Sequence, residues 1–236
     1  MKIIRAEHLG MCFGVRDALR ATHNVAQVNP VTVLGQLVHN PVVDLHLRNL
    51  GVTTGDLDAQ SAATEQVIIT AHGASDHQRS RWSAGGHVIT DTTCPLVRKA
   101  HDALGLLASG GYLPVIIGQA SHAEVRGLAG DFPQAVIILD EEDIAKVPCH
   151  SRLGVISQTT QPLMKVLGLV NLLKKSRPAS EVRFIDTICR PTKQRQASLE
   201  ELCEKCDTVV VIGGRNSNNT RQLVETARRL GASAIQ

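Results

Sequence analysis

Asp91-Thr-Thr-Cys94-Pro95 recurs later in the chain as Asp186-Thr-Ile-Cys189-Arg190-Pro191. Each copy follows a short apolar run that predicts a β-strand and precedes a polar–apolar pattern that predicts an α-helix. A third cysteine, Cys12, has a matching position between a predicted strand at residues 2–4 and the start of a helical pattern. Three cysteines at strand-to-helix junctions therefore indicate one α/β unit used about three times.

A pseudo-threefold arrangement of such units brings the three sulfur atoms to one centre. Thiolates are the usual ligands of iron–sulfur clusters and of soft metal ions. A single cysteine in a protein of this kind is more often a small apolar residue of the core. Because three of them share one local setting, we expect an iron–sulfur or metal site at Cys12, Cys94 and Cys189.

The composition is that of a soluble globular protein. Of 236 residues, 43% are hydrophobic and 20% are charged, and the formal net charge is +3. This charge is too small and too evenly spread to indicate a nucleic-acid-binding protein, and no aromatic residues interleave with basic ones. No apolar run approaches the ~18 residues of a membrane span, and the N-terminus lacks a signal-peptide pattern. We expect a cytoplasmic protein, in which the six cysteines are thiols, ligands or catalysts rather than disulfides.

Strand-like and helix-like runs alternate along the whole chain, which predicts an α/β fold with mainly parallel sheets. The predicted strands cover residues 31–34, 67–70, 87–90, 113–117, 135–139, 153–156, 182–185 and 209–212. The predicted helices cover residues 14–26, 42–50, 97–108, 163–175, 192–206 and 219–230.

The positions of the cysteines suggest where the units divide. We expect one unit at residues 13–94, a second at 95–186 and a third at 187–236, completed by residues 1–12. The third is shorter than the others, and the chain stops where its next strand should begin. We therefore expect an incomplete third unit, either truncated at its C-terminus or covered by a partner, because an apolar sheet edge promotes aggregation.

Polar residues cluster where predicted strands end, which is the ligand-binding edge of α/β sheets. His39, His72 and His122 each lie between a predicted strand and a following helix, and Ser217 and Asn219 open the last helix. Helix N-termini supply unpaired N–H groups, so these residues predict a phosphate or diphosphate pocket without Lys or Arg. The alternative for each residue alone is helix capping or a hydrogen bond within the core.

Glu124 is the one carboxylate in these junctions that lies beside a candidate ligand histidine. An unperturbed glutamate has a pKa near ~4.3, so holding a proton requires burial or a hydroxyl network. Thr159 is a plausible member of such a network. Cys203-x-x-Cys206 is half of a zinc pattern without a second pair, so we expect it to be part of the helix at residues 192–206.

Taken together, these motifs resemble the LytB/IspH family of 4-hydroxy-3-methylbut-2-enyl diphosphate reductases. The match runs in order from residue 1 to about 230 and includes Gly10-Met-Cys12-Phe-Gly, Val38-His39-Asn40-Pro41, Ala71-His72-Gly73, Asp91-Thr-Thr-Cys94-Pro95, His122-Ala-Glu124-Val, Ser157-Gln-Thr159-Thr160, Asp186-Thr-Ile-Cys189 and Ser217-Asn-Asn219. Two residues depart from the family pattern: Ala123 replaces a common proline, and Asn218 stands where a serine is frequent. A further diphosphate-binding serine of the family has no counterpart, since Gly231-Ala-Ser233 is a different segment.

The resemblance implies a trefoil of three pseudo-repeated α/β units around a central [4Fe–4S] cluster, with the third unit incomplete. Cys12, Cys94 and Cys189 would be its ligands and leave one iron open. Glu124 would be the catalytic proton donor, and the substrate-binding residues would be His39, His72, His122, Thr159, Ser217, Asn218 and Asn219.

The implied activity is reductive dehydroxylation of the substrate to isopentenyl and dimethylallyl diphosphate in the non-mevalonate isoprenoid pathway. Electrons would come from an external donor of the flavodoxin or ferredoxin type. The main alternative is a non-catalytic iron–sulfur or metal-binding protein derived from this family by truncation, and a structural zinc protein is a weaker one. The intact Glu124 and diphosphate residues favour the enzyme.

Overall fold

A computed structural model describes residues 2–236 of the chain. The strands are β1 (Val31–Leu34), β2 (Thr53–Gly55), β3 (Gln66–Ile69), β4 (Val88–Asp91), β5 (Leu113–Ile117), β6 (Val136–Ile138), β7 (Arg152–Ser157), β8 (Glu181–Phe184), β9 (Thr208–Val210) and β10 (Ser233–Ile235). The helices are α1 (Phe13–Ala26), α2 (Pro41–Asn49), α3 (Asp76–Ala84), α4 (Pro95–Ser109), α5 (Ala123–Ala129), α6 (Leu163–Ser176), α7 (Arg190–Lys205) and α8 (Asn218–Arg229), with a 3-10 helix at Glu141–Lys146. None of the helices within residues 2–236 combines the length and the apolar character needed to cross a bilayer.

The strands form three sheets, and every pairing is parallel. The first sheet has the order β2-β1-β3-β4 and the second has the order β6-β5-β7-β8. The third consists of β10 and β9. The predicted α/β class with parallel sheets is thus confirmed. One sheet lies within each of the ranges 13–94, 95–186 and 187–236, whose division into units stays a prediction.

Both faces of the two larger sheets are buried, which explains why their central strands are continuous apolar runs. In β5, Val115 and Ile117 pack in one core cluster with residues of α6, such as Val170. The side chain between them, Ile116, points to the other face and packs with residues of α4 and α5, such as Leu104. This alternation follows from the two-residue period of a strand. The first sheet is similarly enclosed by α1 and α2 on one face and Trp82 of α3 on the other.

Two expectations about the third sheet are wrong. Residues 2–4 are not a strand, because within the described part of the chain their backbone has no neighbouring strand to bond. Conversely, the chain does not stop before the next strand: Ser233–Ile235 forms β10, which pairs with β9 from Ser233 opposite Thr208 to Ile235 opposite Val210. Strand formation at both ends therefore depends on the presence of a partner strand.

Besides β10, four elements were not predicted: β2, α3, α5 and the 3-10 helix. The clearest case is α3, whose residues are polar and of which only Trp82 is buried. Its start is defined by a capping box, in which the Ser75 hydroxyl accepts from the Gln78 backbone and the Gln78 side chain accepts from the Ser75 backbone. A helix fixed by its cap rather than by an apolar stripe leaves a weak periodic pattern in the sequence.

Candidate active site

The three cysteines of the repeated motif occupy the same structural position. Cys12, Cys94 and Cys189 are the N-cap residues of α1, α4 and α7, and none of them caps through its side chain. Cys189 Sγ lies 3.0 Å from Thr192 Oγ1, in the first turn of α7. A helix N-terminus favours the thiolate form, which is the form that binds metals.

Matching backbone hydrogen bonds place two of these cysteines. The N–H of Cys94 donates to the carbonyl oxygen of Ala71 over 3.1 Å, and the N–H of Cys189 donates to that of Thr159 over 3.0 Å. Ala71 follows β3 and Thr159 follows β7, which are equivalent strands of the two larger sheets. Each cysteine is thus tied to the loop after the neighbouring strand.

The threonines of the two motifs are also equivalent. Thr92 Oγ1 donates to the carbonyl oxygen of Ile69 over 2.6 Å. Thr187 Oγ1 donates to the carbonyl oxygen of Ser157 over 2.5 Å. Each hydroxyl therefore donates to the carbonyl oxygen of the last residue of the adjacent strand. This bond gives a physical reason for threonine in both copies.

The three thiols lie close to one another. Burial raises the pKa of Cys94, and the neighbouring thiols of Cys12 and Cys189 raise it further. Gly14, in the first turn of α1, lies against the Cys94 thiol. A Cβ atom on this glycine would be 2.5 Å from Cys94 Sγ. A set of three converging thiols, with space kept open by a glycine, fits an iron–sulfur cluster.

His39, His72 and His122 also converge. The ring centroids of His39 and His72 are 4.3 Å apart, and both are 5.3 Å from that of His122. His72 Nδ1 is buried and has no hydrogen-bond partner within residues 2–236. Burial holds the pKa of His72 well below its usual value, and the charges of the other two rings lower it further. The three histidines thus form one cluster with an unused buried nitrogen.

His122 combines a capping contact with a second free nitrogen. It is the N-cap of α5, where its Nδ1 accepts from the Glu124 N–H over 3.1 Å. Burial lowers its pKa to about 4, so the ring is neutral at pH 7 and carries its proton on Nε2. Helix capping and donation to an anion are therefore compatible, because they use different ring nitrogens.

His39 is oriented by a chain of amides. Its Nδ1 lies 3.0 Å from Gln36 Oε1, which also accepts from Asn216 Nδ2 over 3.0 Å. Gln36 Nε2 donates to Asp44 Oδ2 over 3.1 Å, which fixes the orientation of this amide. The loop before α8 is thereby connected to the histidine cluster.

The start of α8 carries the remaining predicted ligands. Ser217 is its N-cap and accepts from the Thr220 N–H over 3.3 Å, so the capping alternative is confirmed for this residue. Asn218 is 3% exposed and donates through Nδ2 to Thr160 Oγ1 over 2.9 Å. Asn219 is half-buried in the first turn. These side chains therefore lie where α8 meets the loop after β7.

Glu124 is a buried carboxyl group with a defined partner. Its side chain is 2% exposed, and Thr159 donates to both carboxylate oxygens, through N–H to Oε1 over 2.7 Å and through Oγ1 to Oε2 over 3.0 Å. Burial raises the pKa of Glu124 to about 7, although the two Thr159 bonds oppose this shift. The carboxyl group can therefore hold and release a proton near neutral pH.

One charged residue near the histidines was missed from the sequence. The positive charge of Arg221 on α8 is close enough to lower the pKa values of His39 and His122, after burial as the main cause. No sequence pattern pointed to Arg221, since an arginine on an amphipathic helix is usually a surface residue. The pair Cys203 and Cys206 lies at the end of α7, as expected, and forms no metal-ligand group with other residues of the described part of the chain.

Comparison with known proteins identifies this arrangement. Residues 3–236 match the family described as LytB protein. The chain belongs to the LytB family. Over 233 residues it is 34% identical to the 4-hydroxy-3-methylbut-2-enyl diphosphate reductase of Pelobacter propionicus, with 98% of this chain and 82% of the relative covered. The reductase of Aquifex aeolicus is 34% identical, with 97% and 80% covered.

Solved structures of LytB-family reductases share the fold. The E-1-hydroxy-2-methyl-but-2-enyl-4-diphosphate reductase of Plasmodium falciparum superposes with a TM-score of 0.87 at 29% identity, covering 96% of this chain and 73% of that one. The structure of an (E)-4-hydroxy-3-methyl-but-2-enyl diphosphate reductase superposes with a TM-score of 0.74 at 33% identity, covering 99% of this chain and 84% of that one. The resemblance inferred from the motifs is confirmed, and family membership identifies the chain as an oxidoreductase of an iron–sulfur enzyme family.

Proposed function

We propose that this chain reduces 4-hydroxy-3-methylbut-2-enyl diphosphate to isopentenyl and dimethylallyl diphosphate, in the non-mevalonate route to isoprenoids. The observation that carries the proposal is the position of Glu124. This buried carboxyl group lies two residues after His122 and accepts from Thr159, whose carbonyl oxygen accepts from the Cys189 N–H. Burial raises the pKa of Cys189, and the Glu124 charge adds to this effect. A proton-holding group between an anion pocket and three thiols suits a reaction that consumes electrons and protons together.

Cys12, Cys94 and Cys189 would hold a [4Fe–4S] cluster with one iron that has no protein ligand. When bound, the cluster supplies the electrons and an open iron that acts as a Lewis acid toward the substrate hydroxyl. The protein keeps the three thiols at helix N-termini and leaves room beside Cys94 through Gly14. An external donor of the flavodoxin or ferredoxin type would deliver the electrons.

The diphosphate would lie against the histidine cluster and the start of α8. Neutral His122 can donate from Nε2 while its Nδ1 remains on the α5 backbone. The helix N-terminus of α8 adds backbone N–H groups, which favour an anion. The proposed substrate-binding residues are His39, His72, His122, Thr159, Ser217, Asn218 and Asn219.

Glu124 would deliver a proton. Replacing the C–O bond by C–H takes up two electrons and two protons and releases water. With its pKa raised to about 7, Glu124 is substantially protonated at neutral pH and becomes a carboxylate after donation. The N–H and hydroxyl of Thr159 stabilise that carboxylate, so the donor can reset for the next turnover.

The test is anaerobic reconstitution of the chain with iron and sulfide, followed by oxidation of a reduced viologen on addition of the substrate. We expect oxidation that depends on substrate and yields the two isomeric diphosphates. Glu124→Gln is the matched control, since it keeps the shape and burial of the side chain but cannot donate an acidic proton. It should retain the iron and sulfide content and lose most of the turnover. A cluster-loaded chain that leaves the viologen reduced would instead favour a non-catalytic iron–sulfur protein.

A further inference from the structure

The guanidinium of Arg221 has a buried N–H group without a hydrogen-bond acceptor in the described part of the chain. Arg221 lies on α8 and is half-buried, and its Nη2 donates to Gln119 Oε1 over 3.0 Å. Its Nε is buried and has no acceptor within residues 2–236. A buried donor without an acceptor costs about 1–3 kcal/mol, and more when the group is charged. The guanidinium therefore keeps one buried donor for which residues 2–236 supply no acceptor.

Arg221 also lacks a counter-charge. The five arginines that form ion pairs with carboxylates in the described part of the chain are Arg20, Arg79, Arg98, Arg126 and Arg152. Arg221 is not among them, and the hydrogen bond that its side chain makes within residues 2–236 goes to a neutral amide. Withdrawing a cation from water without a paired anion is unfavourable. An anion bound beside Arg221 would remove this penalty.

Arg221 is connected to the histidine cluster through Gln119. The backbone carbonyl oxygen of Gln119 accepts from the His122 N–H over 2.9 Å. Four residues before Arg221, Ser217 caps α8 at the loop that is bonded to the histidine cluster through Asn216 and Gln36. Arg221 therefore approaches the cluster from α8, on the side of the proposed diphosphate pocket.

The histidines alone provide little positive charge. Burial lowers the pKa of His122 to about 4 and holds the pKa of His72 well below its usual value, so both are neutral at pH 7. Hydrogen bonds from neutral imidazoles can orient a phosphate group but cannot neutralise it. A guanidinium stays charged at every pH of interest.

We propose that Arg221 is a further determinant of substrate affinity, which supplies the permanent positive charge for the diphosphate group. This inference rests on the proposed function of the same pocket. The positive charge of Arg221 attracts the bound diphosphate electrostatically. This role differs from cluster binding by the cysteines and from proton donation by Glu124. Because the diphosphate is bound in both the starting and the reacting state, Arg221 strengthens binding rather than the chemical step.

The experiment measures the affinity of the cluster-loaded enzyme for inorganic pyrophosphate by titration calorimetry, together with kcat and KM. Arg221→Gln should weaken pyrophosphate binding about tenfold and raise KM similarly, because charge-assisted hydrogen bonds are the strong ones, while kcat changes less than about twofold. Arg221→Lys should restore part of the affinity. The salt dependence of pyrophosphate binding should become shallower in Arg221→Gln, which a purely structural effect would not produce.

Two further variants are controls. Arg229→Gln removes the same charge from the exposed far end of α8 and should leave pyrophosphate affinity unchanged. Gln119→Ala removes the hydrogen bond of Arg221 but keeps its charge, so it should weaken binding less than Arg221→Gln does. Unchanged affinity and salt dependence in Arg221→Gln, with normal binding by the wild type, would overturn the role of Arg221 alone. Absence of both pyrophosphate binding and turnover in the wild type would overturn the proposed function with it.

Discussion

The N–H of Cys189 donates to the carbonyl oxygen of Thr159 over 3.0 Å. Thr159 in turn donates through its own N–H and hydroxyl to Glu124. One residue thus connects a proposed cluster ligand with the proposed proton donor. In the equivalent position of the first sheet, Ala71 accepts from Cys94 but has no hydroxyl, and the next residue is His72. The two larger sheets therefore share the same backbone hydrogen bond to the cysteine and differ in the side chains that lie beside it.

Removing the Thr159 hydroxyl should shift the pH dependence of turnover. If protonated Glu124 is the donor, activity is present below its pKa of about 7 and is lost as the pH rises through that value. The Thr159 hydroxyl favours the carboxylate and lowers this pKa, so Thr159→Val should move the alkaline limb of the kcat profile upward, by about one pH unit. Thr159→Ser keeps the hydroxyl and should resemble the wild type. A downward shift in Thr159→Val would contradict this assignment.

Gly14→Ala should prevent stable cluster assembly. The added Cβ would lie 2.5 Å from Cys94 Sγ, well inside van der Waals contact, so the thiol must move. We expect a large loss of bound iron and sulfide in anaerobic reconstitution, measured by chemical analysis and visible absorption. Gly168→Ala on α6 is the control, because its Cβ would meet no atom within 4 Å. That variant should keep the cluster and gain about 0.5–1 kcal/mol in unfolding free energy.

The two functions of His122 can be separated by substitution. Asparagine is a good N-cap residue, so His122→Asn should keep the start of α5 and change the melting temperature little. It lacks the imidazole Nε2 and should therefore weaken pyrophosphate binding severalfold. His122→Ala removes both functions and should lower stability by about 1 kcal/mol as well. Normal pyrophosphate affinity in His122→Asn would show that His122 only caps the helix.

Arg79 of α3 joins two loops of the site. Its Nε donates to Asp91 Oδ2 over 2.8 Å and its Nη2 to Thr93 Oγ1 over 2.9 Å, both in the segment that leads to Cys94. Its Nη1 donates to the carbonyl oxygen of Ala74, in the loop that follows β3. The side chain is 16% exposed, so these charge-assisted bonds are largely shielded from water.

Arg79→Gln should therefore lower the free energy of unfolding by about 2 kcal/mol or more and accelerate iron release to a chelator. Arg126 provides the comparison, because its ion pair with Asp58 spans 3.6 Å between side chains that are each about half exposed. Arg126→Gln should change stability by less than about 1 kcal/mol. Denaturant unfolding under anaerobic conditions measures both. An equal loss of unfolding free energy in the two variants would mean that the contacts of Arg79 stabilise no more than an ordinary surface ion pair.

The sequence by itself determined the fold class and the candidate residues. Buried parallel strands must be apolar along their whole length, so runs such as Leu113–Ile117 were predictable from the residues alone. The Asp-Thr-x-Cys motif was predictable as a junction because it recurs, and its aspartate has a local role in both copies, since it accepts from the N–H two residues later. These features depend on near neighbours in the chain or on a two-residue period.

The tertiary structure alone decided the features that depend on distant partners. Residues 2–4 have a strand sequence but no strand to pair with among residues 2–236, whereas Ser233–Ile235 becomes a strand because β9 lies beside it. The raised pKa of Glu124 comes from burial among residues far away in sequence, and no local pattern encodes burial. The position of Arg221 beside the histidines is of the same kind, since helix packing selects which face of α8 meets the pocket. Strand pairing, desolvation and the proximity of charges are properties of the folded chain, because each depends on residues that are distant in sequence.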